Sequence, residues 1–544
     1  MTQAFRGGSG IRTKTSRICG IWFLVYQVTV YSYPLRGKSH LSGVRQGGTL
    51  YKKISARYVL GFDGTGHTLI EDGEVVFEGD SIVFVGRDYV GPVDEERDYG
   101  QSLVMPGLID LDALADIDHL ILDSWPSPDV AAGHLWSDDY FANRRRDVFT
   151  PSERATVREF ALAQLALHGI TTYMPIASEI HSSWAEGLDE LVDMAETSRW
   201  IGLRGYLGPA YRSGVHVITA AGDREVHFDE ARGLAGLRDA ERFMEYAAGL
   251  ADPLVTGALL PCRIETLSED LMRETARIAR ERDSLVRLHC LQSPLEDGLL
   301  QHSAGRGVLE LLESTGLFGT RLLIPHGVVI DGKDPAASAP GGPLDTLARH
   351  GVSIVHCPLT SFRYQKQLVS FDRFREAGIN ICLGTDSFPP DLVRGMDAGM
   401  HLTRLVEGRP DAGTLADYFD AATLGGARAL GRADLGRLAL GMQADIAVIS
   451  LADFGDGVVE DPLRTLVLNG TARQVTHTFV AGRPVVVGGA LPGIDLDALR
   501  IEGQRLFDAM RAAYSVRDAR LREPDELFPP TYPRAEIAQQ IAAR

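Results

Sequence analysis

The sequence predicts an α/β chain, a (β/α)8 TIM barrel with a small composite β-sandwich domain. Three observations lead to that fold class. Apolar runs of strand length alternate with helical periods from about residue 106 to 435, the order that parallel strands with crossover helices require. Several of these runs finish on a His or an Asp, as barrel strands do when they carry chemistry to the C-terminal mouth. On either side of this middle lie short strands separated by Gly- and Asp-rich turns.

Residues 1–53 differ in character from the rest of the chain. Arg6, Arg12, Lys14 and Arg17 precede an apolar run at 18–26, basic then apolar as in a signal peptide. No small-residue cleavage site comes after it, and the run is shorter than the ~20 residues that span a bilayer. The segment is expected to be a disordered or mis-assigned extension. From there the chain turns to strands at 58–60, 73–77 and 81–86, and the same style returns at 444–450, 465–468 and 477–486. Residues 54–105 and 436–490 are therefore expected to form one composite β-sandwich, with the barrel at 106–435 and a C-terminal helical extension at 491–544.

Within the barrel, Met105-Pro106-Gly107 opens an apolar strand that ends in Asp110 and Asp112. Helical periods at 153–167, 268–282, 344–350 and 371–377 each lead into a strand. Gly169 and Gly378 stop two of them. The later strands deliver His289, His326, His356 and Asp386. A doubly wound sheet is the competing architecture, but neither GxGxxG nor a Walker-A motif is present to support it.

Composition narrows the function. The net charge of −18 argues against nonspecific binding to nucleic acid or an anionic membrane. The expected partner is a small-molecule substrate, with neither nucleic acid nor membrane involved. The five cysteines, Cys19, Cys262, Cys290, Cys357 and Cys382, show no CxxC spacing, which fits a reduced, cytoplasmic protein.

In order and spacing, a series of segments resembles the metal-dependent amidohydrolase superfamily, in its cytosine deaminase, guanine deaminase and triazine chlorohydrolase branch. They are Gly79-Asp80-Ser81-Ile82-Val83-Phe84-Val85-Gly86, Met105-Pro106-Gly107-Leu108-Ile109-Asp110, His168-Gly169-Ile170-Thr171-Thr172, His289-Cys290-Leu291-Gln292, His326-Gly327, His356-Cys357-Pro358, Gly384-Thr385-Asp386 and Gly441-Met442-Gln443-Ala444-Asp445. The resemblance implies a divalent ion bound by a His-x-His on the first strand, a His on the fifth and an Asp on the eighth. It also implies a Glu proton shuttle three residues after the fifth-strand His and a substrate-polarising His on the sixth strand.

This chain departs from that pattern. Asp112 and Leu114 stand at the His-x-His positions, and Gln292 at the Glu. Leu cannot ligate a metal, and Gln takes no proton at neutral pH. Three readings stay open. A metal (zinc, iron or manganese) is held by Asp112, His289, His326 and Asp386, with Asp110, Asp116, Asp118 or His119 as reserve ligands or base. Alternatively the site is metal-free and Asp386 works with a histidine as acid and base. In the third reading the barrel has lost catalysis and serves in binding. Asp386, His326 and Gln292 are the expected catalytic residues. His356, Arg212 and Arg263 are the expected substrate contacts, with Glu265, Arg363 and Tyr364 as further candidates. The expected reaction is hydrolysis of a C–N bond, or less readily C–Cl, in a small polar or heterocyclic compound. A homodimer is expected by analogy with the fold.

Overall fold

The structure is a computed structural model that describes residues 50–117, 127–176 and 182–534. The expected N-terminal extension up to residue 49, Cys19, Asp118 and His119 lie outside the described residues. The strand Tyr51–Phe62 already pairs at Tyr51 with Glu78, so the β-region begins ahead of residue 54.

Eight parallel strands organise the middle of the chain. They are β1 (Leu108–Leu114), β2 (Ile170–Ile176), β3 (Arg204–Leu207), β4 (Val255–Gly257), β5 (Leu285–Arg287), β6 (Arg321–Pro325), β7 (Ser353–His356) and β8 (Asn380–Leu383). β1 to β4 pair in sequence order, and so do β5 to β8. Single backbone contacts join the two sets. Leu259 N donates to Leu285 O at 3.0 Å, and Asp386 N to Asp112 O at 2.8 Å. This is a TIM-barrel-type α/β arrangement, in which strand C-termini converge on one mouth.

Local chemistry sets the crossover helices. The helix Pro151–Leu167 starts with a capping box, Thr150 with Glu153, and Pro151 at its first position, both strong start signals. Gly169 comes next at φ +73°, a left-handed backbone that favours glycine, and the chain then enters β2. The helix Glu269–Glu281 is capped by Ser268, whose hydroxyl accepts from Leu271 N at 3.1 Å. Its buried face carries Leu271, Met272, Ala276 and Ile278.

Both flanks enter one mixed sheet of eight strands. The C-terminal strand Ile446–Ser450 lies antiparallel to Ser102–Pro106, which in turn lies beside Tyr51–Phe62. Val59, Val75, Phe77, Val104, Val448 and Phe479 share its apolar core. The stretch around Met105-Pro106-Gly107 thus serves two layers. Ser102–Pro106 belongs to the flank sheet, and β1 starts immediately after Gly107, whose N–H donates to Asp445 O at 2.9 Å. Residues 465–468, expected as a strand, lie in the helix Pro462–Asn469. Asp461 caps it and Pro462 opens it, and these start signals outweigh the β-branched composition.

After the flank sheet, the 22-residue helix Leu496–Arg517 returns to the barrel. Its Leu506, Met510 and Tyr514 pack with Ile117, Phe149 and Val157. Gly503 lies so close to Phe160 that a Cβ there would sit 2.7 Å from the ring. No helix among the described residues is long and apolar enough to cross a membrane.

Candidate active site

The mouth of the barrel opens into a cavity of about 560 Å³. Asp112 from β1, His289 just past β5 and His326 just past β6 meet at its floor. One ligand atom from each lies within 4.8 Å of the other two. His289 Nε2 is 3.4 Å from Asp112 Oδ2, and the two imidazole rings are 5.5 Å apart. Asp386, past β8, brings its Oδ2 to 3.7 Å from His326 Nε2. His326 and Asp386 have φ values of 73° and 39°. Both strand ends turn sharply to aim these side chains inward, a backbone cost typical of functional sites.

The floor is almost dry. Asp112 is fully buried and His326 is 2% exposed. Burial works to raise the Asp112 pKa, but the hydrogen bond and charge of His289, with the nearby Arg287 guanidinium, hold the carboxyl below the usual range. Burial pushes His289 down, and pushes His326 down to about 3 with the neighbouring imidazole adding to the effect. At neutral pH both imidazoles are uncharged, His289 carrying its charge only in the acid range where Asp112 titrates. Neutral imidazoles beside an ionised carboxylate are the protonation states that ligate a divalent cation. His326 Nε2 has no hydrogen-bond partner, and Asp112 Oδ1 makes no hydrogen bond although the Arg287 guanidinium stands 3.3 Å away. The unmet imidazole nitrogen is an expensive condition for a buried polar atom that a bound cation relieves. The donor set therefore fits a divalent ion.

Arg287 was not singled out from the sequence. It lies two residues before His289, on the same face of the strand by the period of two. Its Nη1 is 3.3 Å from Asp112 Oδ1 and donates to Pro175 O at 2.6 Å. Asp110 points away from the floor and joins the barrel's ends, accepting from Thr385 N at 3.0 Å and Thr385 Oγ1 at 2.7 Å. Burial raises its pKa to about 7. Leu114 packs with Ile176 and Phe388 and lines the cavity beside the cluster.

Gln292 lies on the cavity wall with its amide oxygen accepting from Arg263, and its own carbonyl accepts from Lys366 Nζ at 2.7 Å. Arg212 also faces the cavity and donates to Trp184 O. Glu265, 3.0 Å from His216 Nε2, and Tyr364 line it as well. His356 does not reach the cavity. It is fully buried at the end of β7, where Tyr418 OH lies 3.4 Å from its Nε2, and it packs by Phe371. Arg363 is likewise not among the lining residues. Asp116 lies 3.6 Å from Arg158 rather than in the group formed by Asp112, His289 and His326. Sequence reasoning missed Trp136, Trp184, Glu296 and Arg517, all of which line the cavity.

The model of the amidohydrolase family matches residues 103–485. Over 441 residues the chain is 26% identical to a 5-methylthioadenosine/S-adenosylhomocysteine deaminase of Pyrococcus abyssi, covering 80% of this chain and 92% of the relative. It is also 26% identical to an 8-oxoguanine deaminase of Pseudomonas aeruginosa, covering 81% and 93%. Among solved structures, a zinc-bound adenosine deaminase from Xanthomonas campestris superposes with a TM-score of 0.68 at 22% identity, over 85% of this chain and 98% of that one. A zinc complex of atrazine chlorohydrolase from Arthrobacter aurescens gives 0.67 at 21% identity, over 84% and 100%. The chain belongs to the amidohydrolase family of hydrolases.

Proposed function

We propose that the chain hydrolyses a C–N bond of a heterocyclic or small polar substrate, as a deaminase or ring amidohydrolase, at an atypical metal site. The observation that carries this reading is the buried convergence of Asp112, His289 and His326, with Asp112 Oδ1 and His326 Nε2 left without hydrogen-bond partners. These three residues would hold a divalent ion (zinc, iron or manganese), with Asp386 as the fourth donor. When bound, such an ion supplies a Lewis acid that acidifies water and polarises the substrate.

The protein's own groups do the rest. Asp386, opposite His326 Nε2, takes the proton from attacking water and passes it to the leaving nitrogen. Gln292, held by Arg263, contributes an amide that orients the substrate rather than a base. Arg212 and Arg263 supply directed donors on the wall. The flank strands serve as a composite β-domain that braces the barrel from 54–105 and 436–490. A cytoplasmic homodimer completes the proposal.

Metal analysis on protein purified without added metal tests it. The expected result is close to one zinc, iron or manganese per chain, with activity lost on chelation and regained on adding the metal. Less than ~0.1 equivalent, with no deaminase activity rescued by any of the three, would overturn it.

One observation favours a second reading without metal. The Arg287 guanidinium, 3.3 Å from Asp112 Oδ1, is a permanent cation at the floor. With it in place, Asp386 and a histidine could run acid–base chemistry directly. Activity that survives complete chelation and disappears in Asp386→Asn would select this reading.

A further inference from the structure

The family match ends at residue 485, yet the cavity wall includes Arg517, the last residue of the helix Leu496–Arg517. We infer that Arg517 anchors an anionic oxygen group of the substrate, a carboxylate or its sulfonate equivalent, at the end of the cavity lined by Trp136. The C-terminal helix thereby sets the substrate class of the proposed hydrolytic site, on which this inference rests.

Arg517 is 1% exposed. Its guanidinium lies over three rings, 5.4 Å from Trp136, 5.5 Å from Tyr140 and 6.0 Å from Tyr514. Those π faces attract the charge through the face of the ion. The N–H bonds of a guanidinium lie in its own plane, so ring faces above or below do not meet them, and among the described residues only the Tyr140 side chain adds a hydrogen bond. Nε and Nη2 indeed have no hydrogen-bond partner. Among the described residues no carboxylate pairs with Arg517. The adjacent Asp518 is engaged by Arg522 at 2.7 Å.

A buried guanidinium with unmet donors costs free energy unless something completes it. Here the missing group must be an acceptor, and its matching partner is a planar oxyanion that accepts along two parallel N–H bonds. Arg212 strengthens the case. Its guanidinium lies over the same Trp136 ring at 5.8 Å and over Trp184 at 5.9 Å. The two cations share one end of the cavity, and an anion between or beside them relieves their mutual repulsion. The indoles offer flat apolar surface to a ring carrying that anion. The inferred ligand is therefore a planar ring compound with an acidic substituent.

Benzoate, benzenesulfonate and neutral benzamide are the probes, each titrated by calorimetry into the full-length protein as purified and into Arg517→Met and Arg517→Lys. Benzoate or benzenesulfonate is expected to bind at least tenfold tighter than benzamide. That preference should fall below twofold in Arg517→Met and survive largely in Arg517→Lys, which also reports that the helix remains folded. An acid preference that is unchanged in Arg517→Met overturns the inference, and so does the absence of any acid preference in the unmutated protein. A crystal soaked with benzoate should place its carboxylate against the Arg517 guanidinium; density only at the His289 and His326 floor counts against it. Because binding is read without turnover, failure here leaves the hydrolase reading standing. Conversely, a metal-free result would leave the anion site intact.

Discussion

Asp386 donates its backbone N–H to the carbonyl of Asp112 at 2.8 Å, so the last strand end of the barrel is fastened to the first within the active site itself. The two carboxylates at that seam are also the two proposed acidic ligands. The proposed catalytic geometry and the closure of the barrel therefore depend on the same few atoms.

Replacing Asp112 by Asn tests that dependence. The substitution removes a proposed ligand and the counter-charge of buried Arg287. Metal content is expected to fall to below ~0.1 per chain and activity by ~100-fold or more, since even supporting residues of metal sites are worth 10- to 100-fold. Stability should drop by about 3–5 kcal/mol, the usual result of stranding a buried charge. Elemental analysis, turnover and denaturant unfolding check the three effects separately.

Gly384 sits beside the seam. A Cβ there would lie 2.5 Å from Asp112 Cβ, closer than real Cβ atoms approach, and 3.0 Å from Asp112 N, a tight contact. Gly384→Ala should cost about 1–3 kcal/mol through overpacking and should lower kcat with a smaller change in KM, because the displaced group is the reacting end of the site. An unchanged Tm and kcat would show that β1 and β8 are only loosely held together.

Leu114 stands where the resemblance implies the second first-strand histidine. It packs with Ile176 and Phe388, so Leu114→His trades apolar contact for a third imidazole. The expected outcome is metal held about tenfold or more tightly, read by competition with a chelator, together with a lower Tm from the buried polar ring. Unchanged metal affinity would mean that position 114 does not face the ion.

Glu296 gives a pH signature away from the ligands. Burial, then the nearby charge of Glu265, raises its pKa to about 8, against an ordinary value near 4.5. Its folded pKa is raised, so the native state binds the extra proton between about pH 4.5 and 8. Its stability contribution is fully present below pH 4.5 and is lost as the pH rises through 8. The loss is at most about 1.4 kcal/mol for each pH unit. Glu296→Gln, which keeps an acceptor for Leu291 N, should flatten that slope and raise Tm relative to the unmutated protein at pH 8. Parallel Tm–pH curves for the two proteins would exclude the effect.

Arg158 is 1% exposed and pairs with Glu186 at 2.6 Å and Glu190 at 2.9 Å, while also donating to Ala115 O. This network fixes the end of β1 beyond Asp112. Arg158→Met should destabilise by about 3–5 kcal/mol, because it removes the cation shared by three buried carboxylates, Asp116, Glu186 and Glu190. Thermal unfolding checks it.

The strand ends were legible because barrel chemistry has a local signature, an apolar run finishing on a His or Asp. His289, His326 and Asp386 were readable on that basis, and Asp112 by its place after Pro106-Gly107. Arg287 was readable too, through its two-residue spacing from His289, but its charge inside a strand drew no functional inference. The helix at 462–469 carried its start signals in Asp461 and Pro462, and the β-branched content nearby obscured them. His356 looked like a site residue by the same strand-end rule, yet its side chain packs against Tyr418 rather than into the cavity. Trp136, Trp184 and Arg517 had no local mark. Their role comes from tertiary placement, and Arg517 lies 131 residue numbers beyond Asp386.

The route of the C-terminal helix also fixes the order of assembly during synthesis. A growing chain emerges from its N-terminal end and begins to fold as it does so. The floor residues Asp112, His289, His326 and Asp386 all leave the ribosome before the wall residue Arg517. A nascent barrel therefore carries its polar floor before Arg517 joins the wall, so the proposed anion site is completed only after the floor residues have been made.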